Sequence, residues 1–290
     1  MEAIEVVAAG AFVTIQDRGR PGWAHLGVPR SGVAAPAAAA LANRLVGNDA
    51  GAAVLEAVVG GVVLSFGAGR VVAVTGASCE VTLGGRPLAT HQCHYVPAGG
   101  TLVVGPARVG LCAYVAVAGG IEGERVLGSL SSDTLSGLGP APLVDGDVVA
   151  MGLPYGRPAW SDAVPVGRVS REIRLHPGPR LDWLTPAAVA LLGQSEWTVG
   201  SASNRIGTRL EGVAVQRARV EELPSEGAVR GAVQVPPDGQ PVVFGPDHPT
   251  TGGYPVVAVV DPRDLDAVAQ VRPGERVRLV WARTQGIGSA

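Results

Sequence analysis

The chain has 290 residues, 47% hydrophobic and 17% charged, with a formal net charge of -2. That balance excludes a disordered chain and offers no electrostatic footprint for nucleic acid or anionic lipid. Gly at 42 and Pro at 23, beside only 4% aromatics, favour short strands over long helices and leave the core to Val, Leu and Ala. Residues 4–7 and 12–15 read as short strands joined by a turn at Ala9-Gly10. The next stretch, 16–22 (QDRGRPG), is a polar loop whose two arginines can hold a carboxylate or phosphate through a guanidinium fork. Its plainer reading is an exposed turn with a local Asp–Arg pair. Residues 36–46 (PAAAALANRLV) read as a helix with Pro in the first turn and Gly47 as the stop. Ala35 falls at the N-cap, where alanine costs ~1 kcal/mol against Asp or Ser.

From residue 54 the pattern turns to strands: 54–59, 62–66, 70–75, 80–83, 95–97, 102–104, 111–117 and 148–151. Short, valine-rich runs with turn residues between them indicate a sandwich or barrel. Gly84-Gly85 is a hairpin signal. Residues 127–139 (LGSLSSDTLSGLG) show no periodicity and read as a long surface loop. Three prolines in 154–166 mark a linker, dividing the chain into 1–155 and 166–290. In the second part, strands are expected at 172–176, 197–199, 209–215 and 276–281. Short helices are expected from Thr185-Pro186 to about Leu192 and from Asp261-Pro262 to Ala269. Residues 231–260 read as strand, turn, strand, polar loop, strand. Pro236-Pro237-Asp238-Gly239 has the composition of a type I turn. The loop 247–254 holds Asp247, His248, Thr250, Thr251, Gly252 and Tyr254, which can bind a small polar or anionic ligand. The alternative is an exposed hairpin loop.

The three cysteines, Cys79, Cys93 and Cys112, match no metal or redox spacing. A reduced, cytoplasmic setting is expected, with no membrane partner, since the start is acidic and no apolar run approaches ~20 residues. His91, Cys93 and His94 lie close together, but His94 would face away on a strand and no second cluster supplies a fourth ligand. No metal site is expected. The serines 129, 131, 132 and 136 form no nucleophile elbow, and neither a Walker A motif nor a dinucleotide fingerprint occurs.

The polar loops and their flanks resemble a known family. The carriers are TIQDRGRPGWAHLGVPRSG (14–32), ANRLVGN (42–48), the LE of Leu55-Glu56, AYVAVAGGI (113–121), LGS (127–129), SNRIGTRLEG (203–212), SEGAVRGAVQVPPDGQPVV (225–243), TTGGYP (250–255) and QVRPGE (270–275). They resemble the KipA family, also called the C subunit of 5-oxoprolinase or allophanate hydrolase subunit 2, which is related to the carboxyltransferase region of urea carboxylase. The resemblance implies a mostly β protein of two cyclophilin-like β-barrel halves with a few short helices. It implies two partners, one KipI-like and one LamB/YcsF-like. The implied activity is ATP-dependent hydrolysis of 5-oxo-L-proline to L-glutamate, with ATP bound by the complex and no biotin attached to this chain. Two other roles are open: a carboxyltransferase component, and a non-enzymatic partner that restrains a KipI-like kinase inhibitor.

By the same resemblance, Asp17, Arg18, Arg205 and Asp247 are catalytic candidates. Gln16, Arg20, Ser31, Asn43, Asn48, Gln234, Thr250, Thr251, Gly252 and Tyr254 are binding candidates. The chain departs from the family pattern at Ala35 (usually Asp), Cys112 and Leu130 (usually Arg) and Pro249 (usually Gln).

Overall fold

A computed structural model describes residues 2–160, 164, 170–219 and 221–282. The chain forms two compact units, 1–169 and 170–290. Of the stretch read as a linker, residues 161–163, 165 and 166 lie outside the described residues. Both units are built on barrel-like β-sheets with short helices, as the composition requires.

In the first unit, two long strands form the spine: Arg70–Leu83 and Thr101–Val117. Each absorbs two of the expected short strands. The intervening residues do not turn; register shifts between Gly76 and Val81 take up the extra length as bulges. The strands Ala3–Ala8 and Phe12–Gln16 form as expected on either side of Ala9-Gly10, but they do not pair with each other. Ala3–Ala8 lies between Val62–Phe66 and Val148–Met151, and Phe12–Gln16 pairs with Val54–Val58. Residues 13–16 are all buried, so this strand has covered surface on both faces, which a two-stranded hairpin cannot supply. The core gathers Ile4, Leu55, Leu64, Phe66, Leu102 and Val115. His91 is not on a strand. It precedes Cys93–Val96 with a left-handed φ of 60°, and its ring is buried. Among the described residues no group of three metal-ligating side chains comes together.

The helix Pro36–Leu45 starts at Ala35 without a side-chain cap, as read from the sequence. Its entry is held from elsewhere. The buried Glu56 carboxylate, from strand Val54–Val58, accepts the Ala34 N–H at 2.7 Å, and the Tyr114 hydroxyl accepts the Ala35 N–H at 2.7 Å. A carboxylate at a helix start also matches the positive end of the helix dipole.

The second unit is a closed barrel. Around it run Glu172–Pro177, Val256–Val260, Ala232–Gln234, Val242–Phe244, Gly207–Glu211, Glu196–Val199 and Arg276–Trp281. All neighbours are antiparallel except the closing pair, where Glu172–Pro177 runs parallel to Arg276–Trp281. Trp197, Leu175, Leu192 and Val257 fill the interior. The helix Pro186–Leu192 is capped as expected by Thr185, whose hydroxyl accepts the Ala188 N–H. Pro236 to Gly239 makes the expected turn between Ala232–Gln234 and Val242–Phe244, with Gly239 at φ 75° and its N–H bonded to the Pro236 carbonyl.

Carboxylates of this barrel are tied to arginines. The Arg263 side chain and N–H, with His176, hold the Asp261 carboxyl well below its ordinary range. Arg180 does the same for Glu226, and Arg171 for Glu275. Burial pushes Asp264 up, and its bonds from Arg174 outweigh that.

Glu56→Ala leaves the buried Ala34 N–H without its acceptor, and chemical denaturation should show a loss of about 1–3 kcal/mol. The arginine-bound carboxylates make stability depend on acid. A carboxylate with a depressed folded pKa contributes stability that is complete above its unfolded pKa, near ~4, and is lost as pH falls toward the folded value. Thermal unfolding should therefore change little between pH 7 and about 5 and drop below about 4, with a shallower acid limb in Asp261→Asn.

Candidate functional site

The first unit's polar centre begins where strand Phe12–Gln16 ends. Asp17 is 5% exposed and its carboxylate collects five donors. Oδ1 accepts the Gly19 N–H (2.8 Å), the Ser129 hydroxyl (2.5 Å) and the Ser131 hydroxyl (2.7 Å). Oδ2 accepts the Leu130 N–H (2.8 Å) and the Arg125 guanidinium (3.4 Å). The Asp17 N–H donates to the Ser131 Oγ as well. Gln16 is fully buried and donates to Thr14 Oγ1 and to the Ser132 carbonyl. Ser31 donates to that same carbonyl at 3.1 Å.

These bonds correct the reading of 127–139 as a surface loop at its centre, while 127–128 and 134–137 are exposed as expected. Ser129, Leu130, Ser131, Ser132 and Asp133 are at most 4% exposed. Leu130 packs into the hydrophobic core, apolar and inward. Arg20 lies beneath the loop, donating to the carbonyls of Ser131 and Val126. Its Nη1 stands 4.0 Å from Asp133 Oδ2, with both side chains fully buried. Gly139 must be glycine, since a Cβ there would sit 2.1 Å from the Ser131 carbonyl oxygen. Two non-glycine residues flanking the centre adopt left-handed φ, Ser31 at 56° and Leu127 at 52°. Such strain collects where surrounding bonds over-determine the backbone.

Arg18 points outward. Its side chain is 64% exposed and pairs with Asp49 at 2.8 Å. Asn43 and Asn48 are brought together with each other rather than with Asp17. Asn48 donates to Asn43 Oδ1 and to the Val117 carbonyl and accepts the Gly119 N–H; Asn43 donates to the Ala52 carbonyl. They tie the end of helix Pro36–Leu45 to the sheet.

In the second unit, Arg205 and Asp247 meet in a buried bidentate pair, Nε–Oδ2 2.8 Å and Nη2–Oδ1 3.0 Å. The loops join through backbone as well, with the Asp247 N–H on the Arg205 carbonyl and the Gly245 N–H on the Ile206 carbonyl. A Cβ on Gly245 would lie 2.2 Å from the Arg205 carbonyl oxygen. The His248 ring stacks on Phe244 at 5.7 Å. Gln234, buried, donates to the Tyr254 carbonyl at 2.9 Å, and Gly252 leaves its amide room. The Thr250 carbonyl accepts the Ala228 N–H, and Thr251–Gly252 pairs with Glu226–Gly227. Thr251 and the Tyr254 ring remain exposed.

Arg125 and Asp133 carry no role in the sequence reading, Ser129 and Ser131 are weighed there only as nucleophiles, and Glu56 stands only among the residues of the family resemblance. The available signal was Ser129-x-Ser131 with Asp133, three short polar side chains between apolar residues.

Comparison with known proteins shows the family. A profile described as "Carboxyltransferase domain, subdomain A and B" matches residues 26–281, and the chain belongs to that family. It is 35% identical over 280 residues to the 5-oxoprolinase C subunit of Escherichia coli (strain K12), covering 96% of this chain and 90% of that one. The crystal structure of TTHA0988 matches with a TM-score of 0.88 and 37% identity, over 97% of this chain and 55% of that chain. Urea carboxylase of Kluyveromyces lactis matches with a TM-score of 0.90 and 30% identity, and this chain spans 27% of it.

Arg205→Ala leaves the Asp247 carboxylate buried without its ion-pair partner and should cost about 3–5 kcal/mol in denaturant unfolding. Replacing both residues with apolar ones of similar volume should cost clearly less, giving a large coupling in the double-mutant cycle.

Proposed function

We propose that this chain is the C subunit of an ATP-dependent 5-oxoprolinase and is inactive alone. One observation carries the reading. The motifs rich in ligand-binding residue types are spent on internal bonds: Asp17 on the 129–131 loop, and Arg205 on Asp247. Of the candidate residues, those left at the surface are Arg18, Thr251 and the Tyr254 ring, part of a site rather than a whole one. The 35% identity to a protein named as the C subunit of 5-oxoprolinase, across nearly both chains, supports the same reading.

The chemistry needs ATP as a second substrate of the assembly. Transfer of the γ-phosphoryl group to the lactam carbonyl oxygen releases ADP and gives that oxygen a good leaving form. Water then adds to the carbon, the ring C–N bond breaks to free the amine and leave a γ-glutamyl phosphate, and a second water displaces phosphate to leave glutamate. Arg18 is suited to orient the substrate carboxylate or a phosphate, since its guanidinium is exposed on a backbone fixed by its buried neighbours. A KipI-like partner and a LamB/YcsF-like partner complete the assembly.

A second reading, a carboxyltransferase component acting with separate biotin proteins, is favoured by the 0.90 TM-score against urea carboxylase. One experiment separates them. Co-expressed and purified with its KipI-like and LamB/YcsF-like partners, the chain should support glutamate release from 5-oxoproline only when ATP is present. Arg18→Ala should lower kcat/KM about tenfold, equivalent to ~1.4 kcal/mol of transition-state binding. An assembled complex without ATP-dependent release would overturn the first reading; carboxyl transfer from carboxybiotin to urea would establish the second.

A further inference from the structure

The second unit carries a groove of about 1220 Å³ that the bonds described so far do not fill. Its floor is apolar, made by Val215 and Leu223, with Pro237 and the Tyr254 ring beside them. Its charged lining is Glu221, Glu222 and Asp238 against a single Arg217, a local excess of two carboxylates. None of these four makes an ion pair with a described residue, whereas Arg180 and Arg205 of the same unit are matched to carboxylates. The groove exceeds the roughly 300–1,000 Å³ of an ordinary small-molecule pocket, and its Glu221, Glu222, Pro237, Asp238, Gly253 and Tyr254 edges are exposed.

The walls offer more than charge. Glu221, Glu222 and Leu223 on one side and Gly253 on the other make no backbone hydrogen bond to any described residue. Where the walls approach, the Leu223 carbonyl oxygen would lie 3.5 Å from a Cβ on Gly253. Free backbone donors and acceptors beside apolar pockets are what an extended peptide uses. A half-exposed tyrosine, 47% accessible, is the kind of amphipathic ring on which such segments anchor.

We infer that this groove is the docking site for an extended segment of a partner protein in the assembly, apolar with one or two Lys or Arg side chains. Charge complementarity selects that occupant. An acidic lining repels nucleic acid. A second copy of this chain, docked through a two-fold axis, would bring the same acidic groove against itself. The inference rests on the reading of the chain as one part of a larger enzyme. Its test uses neither ATP nor 5-oxoproline, so docking and catalysis fail separately.

The probes are two blocked hexapeptides of one apolar frame, Ala-Val-Arg-Leu-Lys-Val and Ala-Val-Glu-Leu-Glu-Val, titrated into the full chain by calorimetry and by amide chemical-shift mapping. The basic peptide should bind at least about tenfold more tightly, equivalent to ~1.4 kcal/mol. Its shifts should centre on residues 214–217, 221–223 and 253–254. The double change Glu221→Lys and Glu222→Lys, both at exposed positions, should invert the preference. Tyr254→Ala should weaken both peptides several-fold. Equal affinity for the two peptides, or shifts confined to other surfaces, would overturn the inference. So would a concentration-dependent dimer in sedimentation that the double change abolishes.

Discussion

A carboxylate removed from water must have its charge met by fixed donors, and in this protein that demand falls on Asp17. Five donors answer it, and three of them come from residues 129–131, more than a hundred positions away. The serine loop is therefore drawn into the first unit instead of lying over it. Once there, its carbonyls need donors of their own, and Gln16, Arg20 and Ser31 supply them. The left-handed backbone at Ser31 and Leu127 is tolerated because so many bonds converge on that segment.

The second unit solves a similar problem with an ion pair. Arg205 and Asp247 are both buried, and the attraction between such groups roughly offsets the loss of their hydration. Their contribution is then better described as register than as stability. The fork geometry of the guanidinium admits one orientation of the carboxylate, and this fixes the 203–206 loop against 245–248. The two motifs are thus frameworks that present a few outward groups, in keeping with the proposed role as one part of an assembly.

Several features were legible from local chemistry. Thr185-Pro186 signals a helix start because a hydroxyl cap and a fixed φ act within one turn of chain. Pro236 to Gly239 signals a turn for the same kind of reason. The polar loops at 16–20, 203–209 and 247–254 were recognisable as special, but not the partners that occupy them. Ala35 is instructive. Its sequence context shows that a cap is missing, while the replacement, Glu56, arrives from the strand that follows the helix.

Composition and bonds between near neighbours thus sufficed for the β-rich class, the capped helix and the hairpin turn. Only the tertiary structure decided that residues 129–133 are buried, that Phe12–Gln16 pairs with Val54–Val58 instead of Ala3–Ala8, and that Arg20 and Arg205 face inward while Arg18 faces out. The physical reason is shared by all three. An arginine or a serine has the same local preferences whether its donors serve water, a ligand or a buried carboxylate, and the choice is made by groups that come together only when distant segments pack.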